Sequence, residues 1–476
     1  MLKPVRIASA LVILGLVVSV ASHANAAPKQ FKLLFSNAQD VTNTWGKLHF
    51  GATPMQKIRA CKDPGFVLAC CLPREKGEWE VYGQSYKLDE AGQQYEKKNT
   101  WRIVHATTRD AEHFEDVETV FEGEPGCWTA HLGLAYSPDT REFLMLKLRY
   151  DRDGFGYMAF FSPDGRHWQE HPGNPVFRDC DSLGLFWSES ARRFICTTKS
   201  LQPVLKHYPD HGGNHPNIQA DLRDRRVLCI RSSRDGRHWE PSESLVDVWN
   251  HRGNYKSLPT ELLTVPDNHD PPGMEFYRGI GFWYHDRGYM VVLNYAASPL
   301  LPRQHGPQLD TEWWVSRDGL HWDRPYREVN AVGEAFPGVV NITHNPMLID
   351  GLLVFHFGDQ LLGMKQDRIS YVGARASVEF STAQFPAPAA DLYLNAAIPA
   401  PTREFAAQQA YVMAAALDDR GKVVPGFEAE KCLIQNSDRI DAPLRWGERS
   451  TRELAGRTIS LRFYLRSANI YAVTAR

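Results

Sequence analysis

The chain has 476 residues and a formal net charge of −2, with 54 basic and 56 acidic side chains. This near balance argues against nucleic acid or an anionic membrane as the partner, because both require a concentrated basic surface. The eight cysteines form no Cys-x-x-Cys pair and no zinc-finger spacing. The sequence therefore assigns neither a metal centre nor a disulfide pairing.

The first residues have the pattern of a secretory signal peptide. Lys3 and Arg6 precede an apolar run over 7–20, and the small residues at 24–26 supply the positions that a signal peptidase reads. The run is short for a transmembrane span, although an uncleaved anchor is the alternative. We therefore expect residues 1–26 to be a signal peptide, and a secreted or periplasmic protein that has no membrane contact after cleavage.

A seven-residue pattern, Ser-x-Asp-Gly-x-His-Trp, occurs over 162–168, 233–239 and 316–322, with a degenerate copy over 108–114. The aspartates of successive copies lie 54, 71 and 83 residues apart, so the repeats carry insertions. Serine and aspartate fix a tight turn by bonding the backbone two or three residues on, and glycine supplies a positive φ. We expect the tryptophan to pack between neighbouring sheets, so the motif is structural.

Short segments rich in β-forming residues, bounded by Gly, Pro, Asp and Ser, surround the copies and predict five blades of a β-propeller. A linker rich in Pro and Ala follows, and the last segments predict a small β-sandwich. The fold class is thus all-β, with a five-bladed propeller over 27–380 and a sandwich over 381–476. In chain order, the predicted strands are 65–71, 79–86, 132–136, 142–148, 156–161, 183–187, 193–198, 226–232, 280–284, 289–295, 312–315, 346–349, 352–357, 369–376, 410–417, 459–465 and 470–473.

Five blades with Ser-x-Asp-Gly-x-x-Trp turns, followed by a β-sandwich, resemble the five-bladed-propeller glycoside hydrolases. This group holds arabinanases and xylosidases (family 43) and invertases, fructanases and levansucrases (family 32). The C-terminal run 422–476 is similar to the sandwich of uncharacterised bacterial members, with its Pro-Gly-Phe, Leu-Arg-Trp and Leu-Arg-Phe-Tyr segments. The Trp-x-Asn-Asp-Pro and Glu-Cys signatures of invertases are absent from the sequence, which argues against fructan hydrolysis.

The resemblance implies an exported glycosidase that acts on an oligo- or polysaccharide through carboxylates at the propeller axis. It implies no cofactor, and no pattern in the sequence indicates a structural calcium ion. Glycosidic bonds break when one carboxylic acid protonates the leaving oxygen and a carboxylate acts on the opposite face of the sugar. An acid whose pKa is raised by burial or by a neighbouring carboxylate can donate that proton near neutral pH.

In this group the three acids come from successive blades, at the start of each first strand. The matching positions are Asp63 as base or nucleophile, Asp181 as the acid that tunes pKa, and Glu275 as general acid. The residues expected to line the pocket and bind substrate are Trp128, His131, Asp179, Tyr277, Arg278 and His344. A fifth-blade histidine faces a central ion or water in some relatives, and His344 matches that position.

Each assignment has an ordinary structural alternative. Asp63 precedes Pro-Gly and also fits a simple turn. Asp179 and Asp181 compete, because alternation puts both on one face of a strand. Glu275 also fits a solvated loop residue, and Arg278 also fits the partner of a blade carboxylate. His131 equally fits a structural histidine.

The function has alternatives as well. A non-catalytic sugar-binding or interaction propeller needs no convergence of carboxylates, and fold alone does not decide between the two. A sialidase-like six-bladed enzyme requires an arginine triad and a Tyr-Glu pair, and the sequence shows no such arrangement. A histidine-rich insert over 205–222 has spacing too irregular to indicate a metal site.

Overall fold

The computed structural model describes residues 31–87, 100–123, 132–151, 154–203, 224–241, 263–264, 267, 269–270, 274–297, 305–327, 329–332, 342–400 and 409–476. The predicted signal peptide (1–26) and the histidine-rich insert over 205–222 lie outside these residues. Among the residues described, no helix is long and apolar enough to cross a membrane.

The described residues form strands joined by turns and short 3-10 segments, which confirms the all-β class. The 3-10 turns span Ala38–Asp40, Glu75–Gly77, Ala429–Lys431 and Thr451–Leu454. Five antiparallel sheets of three or four strands follow one another along the chain. They are: β5 Val67–Pro73, β6 Trp79–Lys87, β7 Thr100–Thr108, β8 Glu115–Glu122; β9 Leu132–Ser137, β10 Glu142–Asp151, β11 Gly154–Ser162, β12 Gln169–Glu170; β13 Cys180–Ser188, β14 Arg193–Pro203, β15 Asp224–Ser233, β16 Leu263–Thr264; β17 Met274–Tyr284, β18 Arg287–Ala297, β19 His305–Ser316; and β20 Met347–Ile349, β21 Leu352–Phe357, β22 Gln360–Lys365 with β4 Gln56–Ala60.

Successive sheets pack face to face through separate apolar clusters. One cluster joins the first and second sheets, and the next three join the second to the third, the third to the fourth and the fourth to the fifth. A further cluster packs Leu68 and Val81 of the first sheet against Met347 and Val354 of the fifth. The N-terminal strand β4 also supplies the outer strand of the fifth sheet. This closed arrangement is the packing that a propeller requires, and we interpret each sheet as a blade.

The repeat turns fasten each sheet to the one before it. In all four copies the aspartate accepts hydrogen bonds from the backbone N–H groups two and three residues on, at 2.8–2.9 Å. A Cβ atom on Gly165 would overlap the phenol oxygen of Tyr82 in the first sheet. Trp239 lies in the cluster between the second and third sheets, as predicted for these tryptophans. The turn is therefore an inter-sheet contact as well as a local one.

Two further sheets form a β-sandwich around one apolar core. One holds β1 Lys32–Leu34, β3 His49–Ala52, β23 Ser370–Ala374, β26 Leu392–Ala397, β29 Ala442–Pro443 and β31 Ala468–Ala475. The other holds β2 Thr42–Trp45, β24 Val378–Ser381, β25 Phe385–Pro386, β27 Tyr411–Leu417, β28 Leu433–Ile434 and β30 Thr458–Arg466.

These pairings differ from the predicted boundaries of 27–380 and 381–476. Strands β1 to β3, near the N-terminus, pair with β31, β24 and β23. The segment predicted as a fifth-blade strand over 369–376 is β23 of the sandwich, and the third strand of the fifth sheet is β22 instead. The reason is that hydrogen bonds between distant segments, rather than chain order, assign a strand to a sheet.

Buried ion pairs connect the sandwich segments to the fourth sheet. The Nζ atom of Lys32 lies 2.6 Å from Asp367, which also accepts a hydrogen bond of 2.5 Å from the hydroxyl of Tyr284. The guanidinium of Arg287 donates to Asp40 at 2.9 Å, and both side chains are at least 96% buried. Polar groups removed from water need such partners, so these contacts fix the relative position of the two parts.

Candidate functional site

The first strands of the sheets lie side by side at the centre of the ring. Thr343, just before β20, donates to the carbonyl of Leu68 in β5 at 2.6 Å. The Nε atom of Arg278 in β17 lies 3.3 Å from the carbonyl of Leu183 in β13. The starts of these strands, together with the ends of the second strands, therefore form one face of the ring. The candidate site residues were expected at the starts of first strands, and so on this face.

Glu275 is buried at the start of β17, with 4% of its surface exposed. Its carboxylate accepts a hydrogen bond of 2.5 Å from Arg226 of β15, in the neighbouring sheet. The alternative of a solvated loop residue is wrong for Glu275, because it belongs to a paired strand and most of its surface is buried. A charge-assisted bond of this length holds the carboxylate in one orientation.

Two half-buried tyrosines lie next to this ion pair. Tyr277 is the extra residue of a β-bulge between Phe276 and Arg278, and such bulges re-aim side chains. Its ring centroid lies 5.1 Å from that of Tyr295, the residue directly opposite Glu275 on β18. Burial raises the pKa of Tyr295 above its usual value, so this phenol is a hydrogen-bond donor at neutral pH.

Lys199 completes this group of side chains. Its Nζ atom lies 4.3 Å from the ring centroid of Tyr277, within cation–π range, and the residue is 3% exposed. We call Glu275, Tyr277, Tyr295, Lys199 and Arg226 the Glu275 cluster. It combines one carboxylate, two cationic groups and two aromatic rings at the junction of the third and fourth sheets. Such a group offers hydrogen bonds to hydroxyls and ring faces to C–H surfaces.

The structure places Arg278 beside the cluster rather than in an exposed pocket. The residue is 5% exposed and donates to a backbone carbonyl of the third sheet, so it joins two first strands. Arg278 is as buried as Glu275, and its role in substrate binding stays a prediction.

The assignment of Asp179 to substrate binding is corrected. Its side chain is fully buried, and both oxygens accept hydrogen bonds from Arg231 at 2.6 Å, with a further bond from Thr198 at 2.7 Å. Asp179 therefore joins strands of the third sheet and is shielded from any ligand. The bidentate partner of Asp179 is Arg231 of β15.

The assignment of His344 to the pocket is also corrected. It is 1% exposed, and its ring nitrogens bond the carbonyl of Asn345 at 2.7 Å and the backbone N–H of His356 at 3.1 Å. Burial lowers the pKa of His344 to about 4, so the ring is neutral at neutral pH. It joins the first two strands of the fifth sheet and presents no nitrogen to a ligand.

Asp63 lies exposed in the turn before β5, where its carboxylate accepts a hydrogen bond of 2.8 Å from the backbone N–H of Gly65. This is the simple turn that Asp63 was also expected to fit. The second carboxylate oxygen of Asp63 takes no part in the bond to Gly65. The nearby Cys61 thiol lies 3.4 Å from Nε2 of His356. Burial raises the pKa of Cys61 to about 11, so it is a thiol at neutral pH and a poor nucleophile.

The side chains of three predicted residues lie outside the described part of the structure. Trp128 and His131 lie outside the described residues, and of Asp181 only the backbone, which belongs to β13, is described. The backbone register between β13 and β14 shifts between Cys180 and Leu183, so Asp181 lies at an irregularity of the strand start. Such irregularities are frequent next to binding sites.

Sequence reasoning missed three members of the cluster, namely Lys199, Arg226 and Tyr295. The resemblance to propeller glycosidases points to acids at the starts of first strands, whereas these three residues lie on second and third strands. The sequence offered little signal for them, because Lys199 lies between threonine and serine residues and Arg226 directly follows Asp224 and Arg225.

One group of possible metal ligands occurs among the described residues, at Asp110, Glu112 and His113. It belongs to the degenerate repeat turn, and Asp110 bonds the backbone there in the same way as in the other copies. Among the described residues, the Glu275 cluster contains a single carboxylate.

Comparison with known proteins gives structural similarities only. No family model matches the chain, and no curated protein matches it. A glycosyl hydrolase from Bacteroides ovatus is similar at 12% identity with a TM-score of 0.38, covering 66% of this chain and 88% of that one. A thermostable family-43 glycoside hydrolase is similar at 12% identity and a TM-score of 0.34, covering 68% and 86%.

An exo-β-1,3-galactanase from Phanerochaete chrysosporium, with bound galactose, is similar at 8% identity and a TM-score of 0.34. That similarity covers 88% of this chain and 99% of the galactanase. The protein is thus similar in structure to solved glycoside hydrolases, and the chemistry of its site is argued from its own residues.

Proposed function

We propose that the protein is a secreted or periplasmic glycoside hydrolase whose substrate is an oligo- or polysaccharide bound at the Glu275 cluster. The observation that carries the proposal is the buried carboxylate of Glu275 beside the half-buried rings of Tyr277 and Tyr295. Sugars present C–H faces that stack on aromatic rings and hydroxyls that bond charged groups. A cluster combining both is suited to holding a pyranose or furanose ring.

The proposed roles follow the resemblance to propeller glycosidases. Asp63 is the base or nucleophile, Asp181 tunes the pKa of a neighbouring acid, and Glu275 is the general acid. The ion pair between Glu275 and Arg226 supports a second role for Glu275, since the guanidinium holds the carboxylate in one orientation, as a hydrogen bond to a sugar hydroxyl requires. In that role Glu275 holds a sugar hydroxyl, and another acid supplies the proton.

The first experiment is Glu275→Gln, assayed for release of reducing sugar from arabino-, xylo- and galacto-oligosaccharides. We expect a loss of at least 100-fold in kcat/KM, because general acids and charged substrate contacts each contribute on that order. Glu80→Gln is the matched control, because Glu80 is equally buried, lies in the first sheet and bonds His105. Full activity in Glu275→Gln would remove the residue from the mechanism.

Aryl glycosides with an activated leaving group separate the two roles. A general acid is dispensable for such substrates, so Glu275→Gln would retain activity on them and lose it on unactivated oligosaccharides. A sugar-holding carboxylate is needed for both substrates, and the loss would then be similar on the two. Arg226→Lys, which keeps a cation but not the guanidinium fork, should raise KM in the second case.

A non-catalytic sugar-binding protein is the second candidate. The buried ion pairs of Glu275 and Asp179 favour it, because paired carboxylates also serve purely structural purposes. Calorimetry with the same oligosaccharides distinguishes the two functions. Binding that Tyr277→Ala abolishes, without any release of reducing sugar by the parent protein, would establish the binding function instead.

A further inference from the structure

The outer face of the sandwich carries a row of side chains that crosses the sheet of β2, β24, β30, β27 and β28. The backbone pairings place Trp45 opposite Glu379, Glu379 opposite Tyr464, Tyr464 opposite Met413, and Met413 opposite Leu433. We call these five residues the Trp45 row. Residues that pair directly across strands project from the same face, where Met413 and Tyr464 also pack against the small apolar cluster of Ala415, Leu417 and Ala429.

Trp45 is the most exposed large apolar side chain among the described residues, at 67%. Leu433, at the other end of the row, is 52% exposed. A soluble protein gains stability by burying a tryptophan, so an exposed one at the edge of a sheet points to a surface that meets a partner. The remaining members of the row are half-buried.

The backbone at β2 directs Trp45 to this position. The pairing of β2 with β24 shifts register between Thr42 and Trp45, and Asn43 has a φ of 47°. This is a β-bulge, in which one extra residue re-aims the following side chain, and asparagine tolerates the left-handed conformation. The bulge places the indole in line with Glu379 and Tyr464 instead of one residue out of register.

The row alternates ring surfaces with hydrogen-bonding groups. Glu379 lies between Trp45 and Tyr464, and its carboxylate is 3.6 Å from the guanidinium of Arg462 on the same face. Trp45 and Tyr464 lie two strands apart, which is about 10 Å at the usual strand spacing. Aromatic rings separated by charged hydrogen-bonding groups match a chain of sugar rings, with their C–H faces and hydroxyl edges.

We infer that the Trp45 row is a second saccharide-binding surface, separate from the Glu275 cluster, which holds a polysaccharide chain along the sandwich. The saccharide class of the ligand rests on the proposed function. The position and exposure of the surface are independent of the proposed function. A polymer held there would keep the protein on its substrate between cleavage events at the axial site, which raises the effective concentration of cleavable bonds.

The test is native affinity electrophoresis of the full chain in gels that contain arabinan, xylan or levan. All proteins carry Glu275→Gln, so that the polymer is not degraded during the run. We expect at least one polymer to retard this parent. Adding Trp45→Ala should weaken binding about tenfold or more, since exposed tryptophans at binding surfaces contribute on that scale. Val423→Ala, at an exposed apolar residue of the same domain outside the row, should leave retardation unchanged.

Two further measurements separate this surface from the axial site. Tyr277→Ala should keep the retardation, and Trp45→Ala in the active protein should keep full activity on short oligosaccharides. Retardation that Trp45→Ala leaves unchanged for every retarding polymer, or no retardation of the parent by any polymer, would overturn the inference. Retardation that Trp45→Ala weakens, together with no release of reducing sugar by the parent protein from any of these substrates, would leave the inference standing and overturn the proposed function.

Discussion

The guanidinium of Arg231 donates two hydrogen bonds of 2.6 Å to the carboxylate of Asp179, and both side chains are fully buried. The pair links the residue just before β13 to β15 of the third sheet, across β14, and the hydroxyl of Thr198 on β14 also donates to Asp179 at 2.7 Å. This geometry explains why a candidate site acid is instead part of the sheet's interior.

Removing one side chain of this pair should lower the stability of the fold. We expect Asp179→Ala to lower the free energy of unfolding by about 3–5 kcal/mol, because it leaves Arg231 charged and buried without its bidentate partner. Arg192→Met, which breaks an exposed ion pair with Asp139, should change it by no more than about 1 kcal/mol. Urea unfolding, followed by tryptophan fluorescence, measures the free energy of unfolding of both variants. Equal losses in the two would contradict the structural role of the Asp179–Arg231 pair.

Gly165 tests the contact between a repeat turn and the preceding sheet. Its φ is 73°, and an added Cβ would overlap the hydroxyl of Tyr82. We expect Gly165→Ala to cost more stability than Gly421→Ala. Gly421 has a similar φ of 75° with no atom within 4 Å of an added Cβ, so it reports backbone strain alone, about 1–2 kcal/mol.

The double variant Gly165→Ala with Tyr82→Phe should recover part of the difference, because it removes the overlapping oxygen. Thermal unfolding of the four proteins provides the comparison. Identical losses of stability in Gly165→Ala and Gly421→Ala would show that the turn makes no tight contact with Tyr82 of the first sheet.

The repeat turns should also make the stability of the protein depend on pH in the acid range. Backbone and histidine hydrogen bonds hold the pKa of Asp164 well below its usual value, against the opposing effect of partial burial. A carboxyl whose pKa is lower in the folded state stabilises the fold above its unfolded pKa of about 3.9. That contribution is lost as the pH falls toward the folded value.

Asp164→Asn keeps an oxygen acceptor for the N–H groups of Arg166 and His167 but removes the charge. We expect its unfolding free energy to fall less between pH 6 and pH 3 than that of the parent. Asp164→Ala should in addition be less stable at pH 6, because the turn loses its acceptor. If the unfolding free energy of Asp164→Asn fell with pH as steeply as that of the parent, this account would be contradicted.

The domain pairing predicts which fragments fold. Residues 381–476 lack β1, β2, β3 and β23, and they also lack Phe35, which lies in the sandwich core. We expect this fragment to be unfolded by circular dichroism and by the dispersion of its amide resonances. The full chain serves as the control, and a cooperative melt of the isolated fragment would show that the N-terminal strands are dispensable.

The sequence by itself determined the all-β class, most strand positions and the repeat turns. Strands such as β10 and β18 were predicted within a few residues, because alternation of side chains and the turn residues that bound a strand are local properties. The turn motif is likewise local, since Asp164 bonds atoms two and three residues away.

The tertiary structure alone decided which strands share a sheet and which charged groups meet. Arg226 is 49 residues from Glu275, and Arg231 is 52 from Asp179. Neither pairing has a local signature, because each depends on how two sheets or three strands come together. For the same reason β1 to β3 lie in the sandwich although they precede every propeller strand in the chain. Hydrogen bonds between distant segments, and the need of each buried charge for a partner, set these relationships.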